Sequence, residues 1–364
     1  MIAITKRFLL LSPLLVLARR AFGQDAATPA PNEAAMKAVT HNAIDRYILP
    51  SYQGLEAATA TLVSAMKAAC QTPTATPSPA LKSAFEGVIK AWARVDFLRF
   101  GPIAEKGRLE RFSFLPDKHG TGARQLRQIL AKPDPALLEP GMIATRSAAV
   151  QGLQAFESLT FDAPDDAETA SYRCTLALRI AENLHQIADD TLVEWARDGG
   201  WRQLMEQPGG DNIVYRNATE PVIEVLKAIV TGLQQMRDQR LLPALGKSFD
   251  TAKPARGAFV KSGMAFPYLL ASSAAIESLI EQSDLFSLAP AAAPKLLAES
   301  KAATADFENS INVGSDWQAA FADKAAYDSL QHAFDVLKTM EDIFNYQFTA
   351  AAGIQPGFNA LDGD

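Results

Sequence analysis

The chain has 364 residues, with 35 basic and 41 acidic side chains and a net charge of −6. Residues 1–23 carry Lys6, Arg7, Arg19 and Arg20 and no acid, so without them the balance is 31 against 41, a net of −10. That surplus excludes the basic surface that nucleic-acid phosphates require, and it suits solubility or the attraction of cations.

The first element is a secretory signal peptide over residues 1–23. Lys6 and Arg7 give a positive start, residues 9–18 a short apolar run, and Ala21 and Gly23 a small-residue cleavage site before Gln24. The apolar run is about half of a bilayer span, so no stable membrane anchor is expected. Arg19 and Arg20 come after that run, unlike a twin-arginine signal, and no cysteine near the cut offers a lipid site. The expected location is the periplasm. Residues 24–35, rich in Ala, Pro and Thr, read as a flexible leader.

Helical spacing dominates the rest of the chain. Phe85, Val88, Ile89, Trp92, Val95 and Leu98 recur at three and four residues, which predicts one buried helix face. The same spacing links Leu176, Ile180, Leu184, Ile187 and Trp195, and again Ile223, Leu226, Ile229, Val230, Leu233 and Met236. Prolines punctuate the chain at 73–79, 133–140, 208 and 243–254, and no sustained strand-like alternation occurs. The expected class is all-α, built from antiparallel helical bundles. The length suits two domains, 36–208 and 209–355 with a tail at 356–364, divided near the glycines of 199–212. A faint echo supports a duplication: Ala155-Phe156-Glu157-Ser158-Leu159 against Ala275-Ile276-Glu277-Ser278-Leu279, and residues 184–189 against 337–342. In an oxidising compartment the only cysteines, Cys70 and Cys174, read as a disulfide, the other reading being two buried thiols.

Residues 152–157 read Gly-Leu-Gln-Ala-Phe-Glu. On a helix Gln154 and Glu157 share a face, with Gly152 admitting a close neighbour. One reading is a polar pocket for a cation or small ligand; the other is a buried Gln–Glu pair that orients two bundles. Residues 92–102 read WARVDFLRFGP, residues 111–122 RFSFLPDKHGTG, and residues 352–364 AGIQPGFNALDGD. Together these segments resemble the imelysin family, whose G-x-H-x-x-E motif aligns with Gly152, Gln154 and Glu157. The resemblance spans residues 36–364 and implies two helical domains related to four-helix bundles, with the motif near the cleft between them. The family is named for an insulin-cleaving metallopeptidase, and other members are linked to bacterial iron uptake. Gln154 stands where the motif has histidine, and an amide oxygen is a weak ligand for zinc, iron or copper.

No zincin H-E-x-x-H, nucleophile elbow or phosphate loop occurs. Glu182 and His185 have the Glu-x-x-His spacing of di-iron bundles, but such a site needs a second copy and two further glutamates, so a solvated helix face is the better reading. His119 is the histidine expected to join Glu157 in a metal site if folding brings them together; the plainer reading is a turn residue. Arg99 is expected at the binding cleft, where it either binds a carboxylate or neutralises Glu157. The expected binding residues are therefore Gly152, Gln154, Glu157 and Arg99, and the expected metal ligands Glu157 and His119. The leading function is an iron-acquisition binding protein taking a divalent metal, iron or a small ligand, with an uptake partner in the periplasm or outer membrane. A metallopeptidase, and a module that binds polysaccharide or protein, are the competing readings.

Overall fold

A computed structural model describes residues 32–355 apart from 73, 75 and 164–166. The expected signal peptide, most of the leader and the tail lie outside the described residues. Every regular element within them is helical. Asn32 caps α1 (Glu33–Asn42), its side-chain oxygen accepting from Ala35 N at 2.8 Å. The helix thus takes in the last three residues of the expected leader. A π-helical turn, Ala43–Ile48, runs into α2 (Leu49–Ala69).

α3 (Pro79–Ala93) starts with a Ser78 cap and Pro79 in the first turn. Its face of Phe85, Val88, Ile89 and Trp92 is buried, but the helix stops at Ala93. Val95 and Leu98, expected on the same helix, are buried in the turns beyond it. The Tyr47 hydroxyl donates to the Arg94 carbonyl at 2.8 Å, so a side chain from the π turn satisfies this helix end. Short helices α4 (Arg108–Phe112) and α5 (Thr121–Ala131) lead to α6 (Leu153–Phe161) and the long α7 (Ala167–Ala196). α2 lies between α3 and α7, and α6 packs on α7. The Cys70–Cys174 disulfide ties the end of α2 to α7 across 104 residues. Closing so long a loop stabilises the fold by about 4–5 kcal/mol on the chain-entropy account.

The glycine-rich stretch expected as a boundary contains α8 (Trp201–Glu206). α9 (Thr219–Gln234) continues through a second π-helical turn, Gln235–Leu241, into α10 (Leu242–Leu245). Next in order are α11 (Ala265–Ser283), α12 (Ala293–Ile311), α13 (Trp317–Ala322) and α14 (Lys324–Asp342). A third π turn, Ile343–Phe348, ends in α15 (Thr349–Ala352). α14 packs against α9 and α12, and α11 against α9 and α12. The two echoes fall on α6 and α11 and on α7 and α14. Ala155 and Ala275, Phe156 and Ile276, and Leu159 and Leu279 are all buried.

The halves meet through core, not through solvent. α11 packs on α3 and on the 43–48 turn, and α1 packs on α9 and α11. Buried apolar side chains form one cluster from Met36 to Ile354. Among the described residues, no helix is long and apolar enough to cross a membrane.

Candidate functional site at the junction of the halves

The hexapeptide forms the N-terminal end of α6. Gly152 has φ −110°, which any residue can adopt; its smallness serves close approach. A Cβ there would lie 2.5 Å from the Phe112 carbonyl oxygen, so the start of α6 presses on the end of α4. Gln154 then turns back to the same stretch of chain. Its Oε1 accepts from Phe114 N at 2.8 Å and its Nε2 donates to Ser113 Oγ at 3.0 Å. Arg111 strengthens the same join, donating to Gln151 Oε1 at 2.9 Å and Asn183 Oδ1 at 3.3 Å. The two motif segments, 111–122 and 152–157, are thus locked together by their own side chains.

Glu157 faces the other half. It is 5% exposed, and its Oε1 accepts from Ser262 N at 2.9 Å and Ser262 Oγ at 2.6 Å. Ser262 sits in a tight loop with Phe259 at φ +55° and Gly263 at φ +74°. The neighbouring Lys261 donates to Ser158 Oγ at 2.9 Å and pairs with Asp162, so this loop is held to the α6 segment at three points. Burial pushes the Glu157 carboxyl up, opposed by the two Ser262 hydrogen bonds and the Lys261 charge. Gln154 and Glu157 therefore serve different neighbours; the sequence expectation had them side by side.

A second buried carboxylate, which the sequence reading did not single out, lies in the turns after α3. Asp96 is 5% exposed, and its Oδ2 accepts from Arg240 and from the Tyr268 hydroxyl. Arg240 stands over the Tyr268 ring at 4.2 Å and donates to Ser272 Oγ at 2.8 Å. Burial pushes the Asp96 carboxyl up, against the pull of Arg240, Tyr268 and Arg99. The second π turn carries both Gln235 and Arg240, and its wider winding brings residues five apart together. With its amide oxygen turned to Arg99, Gln235 accepts from Nε at 2.5 Å and Nη2 at 2.8 Å. Trp92, Asp96, Arg99, Ser113, Gln235, Arg240 and Tyr268 line a small cavity of about 40 Å³, with Glu110 exposed at its rim. Ser113 lines this cavity and accepts from Gln154, so of the expected residues Arg99 is in the lining and Gln154 stands one hydrogen bond behind it. Glu157 is not among the lining residues. The signal available in the sequence was an aspartate inside an otherwise apolar run, Val95 to Leu98.

An imelysin family model matches residues 48–343, most of the chain. The chain belongs to the imelysin family. It is 22% identical over 216 residues to iron-regulated protein A of Synechococcus elongatus, a match covering 58% of this chain and 55% of that protein. The chain spans only about that half of its relative. An imelysin-like protein from Psychrobacter arcticum 273-4 has a TM-score of 0.66 at 17% identity, covering 91% of this chain and all of that one. A protein described as a putative iron-regulated protein A precursor from Parabacteroides distasonis ATCC 8503 has a TM-score of 0.66 at 16% identity, covering 88% and 97%. At these identities the two structures speak for the fold.

In this imelysin the hexapeptide does not fit a transition-metal centre on its own. Gln154 is neutral and both its amide atoms are engaged, and Glu157 offers one carboxylate already holding Ser262. His119 is exposed in the turn before α5. Among the described residues, three metal-capable donors converge only at His41, Asp45 and Glu206, on the first helical segment and α8, a group that includes neither Glu157 nor His119. Arg202 already supplies a cation there, 2.7 Å from Asp45 and 3.3 Å from Glu206. Glu182 pairs with Arg179 at 2.7 Å, and His185 Nδ1 lies 3.2 Å from Thr59 Oγ1, which accounts for the Glu-x-x-His spacing as helix-face packing.

Proposed function

We propose that this imelysin is an exported, periplasmic binding protein serving iron or other metal acquisition, with its ligand site at the junction of the two halves. The observation that carries this reading is the solvent-reached polar cavity beside the family motif, walled by side chains from both halves. The name of the Synechococcus relative supports the link to iron. Glu157 holds the 257–264 loop against α6, so its role in binding is to fix how the halves meet around the ligand. Arg99 and Arg240 in the cavity lining suit a metal carried as a small carboxylate chelate over a bare ion. A peptidase of the family type needs a metal-activated water and usually three protein ligands. The engaged amide at Gln154 argues for binding over cleavage.

The test is titration calorimetry of residues 24–364 with ferric, ferrous and common divalent ions, alone and as small carboxylate chelates. Saturable binding that weakens in Glu157→Ala is expected. No heat with any ion or chelate overturns the metal reading. Chelator-sensitive cleavage of an unfolded protein substrate would restore the peptidase reading.

A further inference from the structure

The junction cavity has a chemical bias of its own. Its floor is buried: Trp92, Asp96, Leu109, Gln235, Arg240 and Tyr268 are all shielded, whereas Ser113, Leu115 and Gln239 are half-buried and Glu110 is exposed. Two guanidinium groups, Arg99 and Arg240, face one buried carboxylate, Asp96, so the floor carries a net positive charge. Glu110 stands at the rim, where water screens it. A positive, partly dry floor favours a small anion, and the planar fork of Arg99 suits a carboxylate. Gln235 takes two of the five N–H groups of Arg99, and no hydrogen bond to a described residue takes the others.

Asp96 adds a second requirement. Its Oδ2 is shared by Arg240 and Tyr268, but its buried Oδ1 has no hydrogen-bond partner among the described residues. A buried acceptor left unmade costs more than a good bond gains, so a ligand that brings a donor to it is selected. An ammonium would meet both guanidinium charges; a hydroxyl donates without that repulsion. The volume of about 40 Å³ holds about three water-sized groups, which limits the buried part of any ligand to a very small molecule.

We infer that the cavity between Asp96 and Arg99 binds a small α-hydroxycarboxylate, its carboxylate on Arg99 and Ser113 and its hydroxyl donating to Asp96 Oδ1. This takes from the proposed function only that the junction cavity is a ligand site; it needs no metal.

The experiment uses residues 24–364 without added metal, titrated by calorimetry with glycolate, acetate and glycine. Saturable glycolate binding is expected, with acetate at least about tenfold weaker because it leaves Asp96 Oδ1 unpaired. Glycine is expected to be weaker than glycolate as well. In Arg99→Gln, which leaves the Asp96–Arg240 pair in place, glycolate binding is lost while far-UV circular dichroism shows the helices intact. No glycolate binding up to millimolar concentration overturns the inference. So does acetate binding as tightly as glycolate, or full retention of glycolate binding in Arg99→Gln. Failure here with metal binding intact leaves the iron reading standing, and the reverse result leaves this one.

Discussion

Two buried carboxylates join the halves of this protein, and they do it by opposite means. Glu157 reaches across to a neutral partner, the amide and hydroxyl of Ser262. Asp96 reaches across to a guanidinium and a phenol, Arg240 and Tyr268. Both are 5% exposed, so burial alone does not distinguish them. What differs is what remains when the far partner is removed. Loss of Ser262 leaves a carboxyl that can take up a proton; loss of Arg240 leaves a buried charge without its ion-pair partner. The comparison teaches that a join made of neutral hydrogen bonds is tunable by pH, while one made of an ion pair is held by geometry and fails abruptly.

The largest effect is expected at the ion pair. Arg240→Met should cost about 3–5 kcal/mol in urea unfolding at neutral pH, because Asp96 loses its hydrogen-bonded ion-pair partner and keeps only the half-buried Arg99 nearby. A loss below about 1 kcal/mol would mean that Asp96 is carried in its neutral form and that the contrast between the two joins is false. Next comes Gly152→Ala. The added methyl meets the Phe112 carbonyl, and about 1–3 kcal/mol of overpacking is expected in the same measurement. Because α6 carries Glu157, this variant should also loosen the 257–264 loop, seen as faster amide exchange at Ser262.

Gln154→His should cost about 1 kcal/mol, since one imidazole does not both accept from Phe114 N and donate to Ser113 Oγ in the amide's geometry. Restoring the family's letter is thus expected to weaken the fold slightly; a gain in thermal midpoint would show that the amide is a poor fit. The smallest effect is Glu157→Gln, within about 1 kcal/mol at neutral pH because both Ser262 donors keep an acceptor. Its value lies in pH. Burial raises the folded carboxyl above its unfolded value, so the stability it contributes is complete below the unfolded carboxyl range and is lost as pH rises through the raised folded value. The advantage of the parent over Glu157→Gln should therefore grow on acidification, read from urea midpoints at acid and neutral pH. A constant difference would remove the tunable half of the comparison.

The contrast also marks what could be read from the chain. The helices were legible because burial repeats at their own period, as in Leu176, Ile180, Leu184 and Ile187. The end of α3 was not, because Val95 and Leu98 keep that period after the backbone has left the helix; the Tyr47 hydroxyl that closes it comes from 47 residues away in sequence. Glu157 was legible as a motif letter, yet its partner was not, since nothing in Phe259 to Met264 resembles a site. Asp96 and Arg240 escaped for a plainer reason. They are 144 residues apart and meet only because a π-helical turn rotates Arg240 into the junction, a change of winding that leaves no mark in hydrophobic spacing. His119 illustrates the converse, a residue type suited to metal that the fold leaves exposed in a turn.

The placement of α1 bears on the order in which the molecule can be finished. Met36, Val39 and Thr40 bury themselves against helices that begin at residue 219, and the Thr219 hydroxyl meets the Met36 sulfur at 3.2 Å. The first helix of the described chain to be synthesised therefore waits for partners made almost two hundred residues later, a long-range closure that slows folding. Until then its apolar stripe has the adjacent 43–48 turn and α8 beside it but lacks α9 and α11. A fragment cut near residue 208 keeps α8 but loses α9 and α11 for good, and is expected to need either the remaining residues supplied in trans or a chaperone to stay in solution.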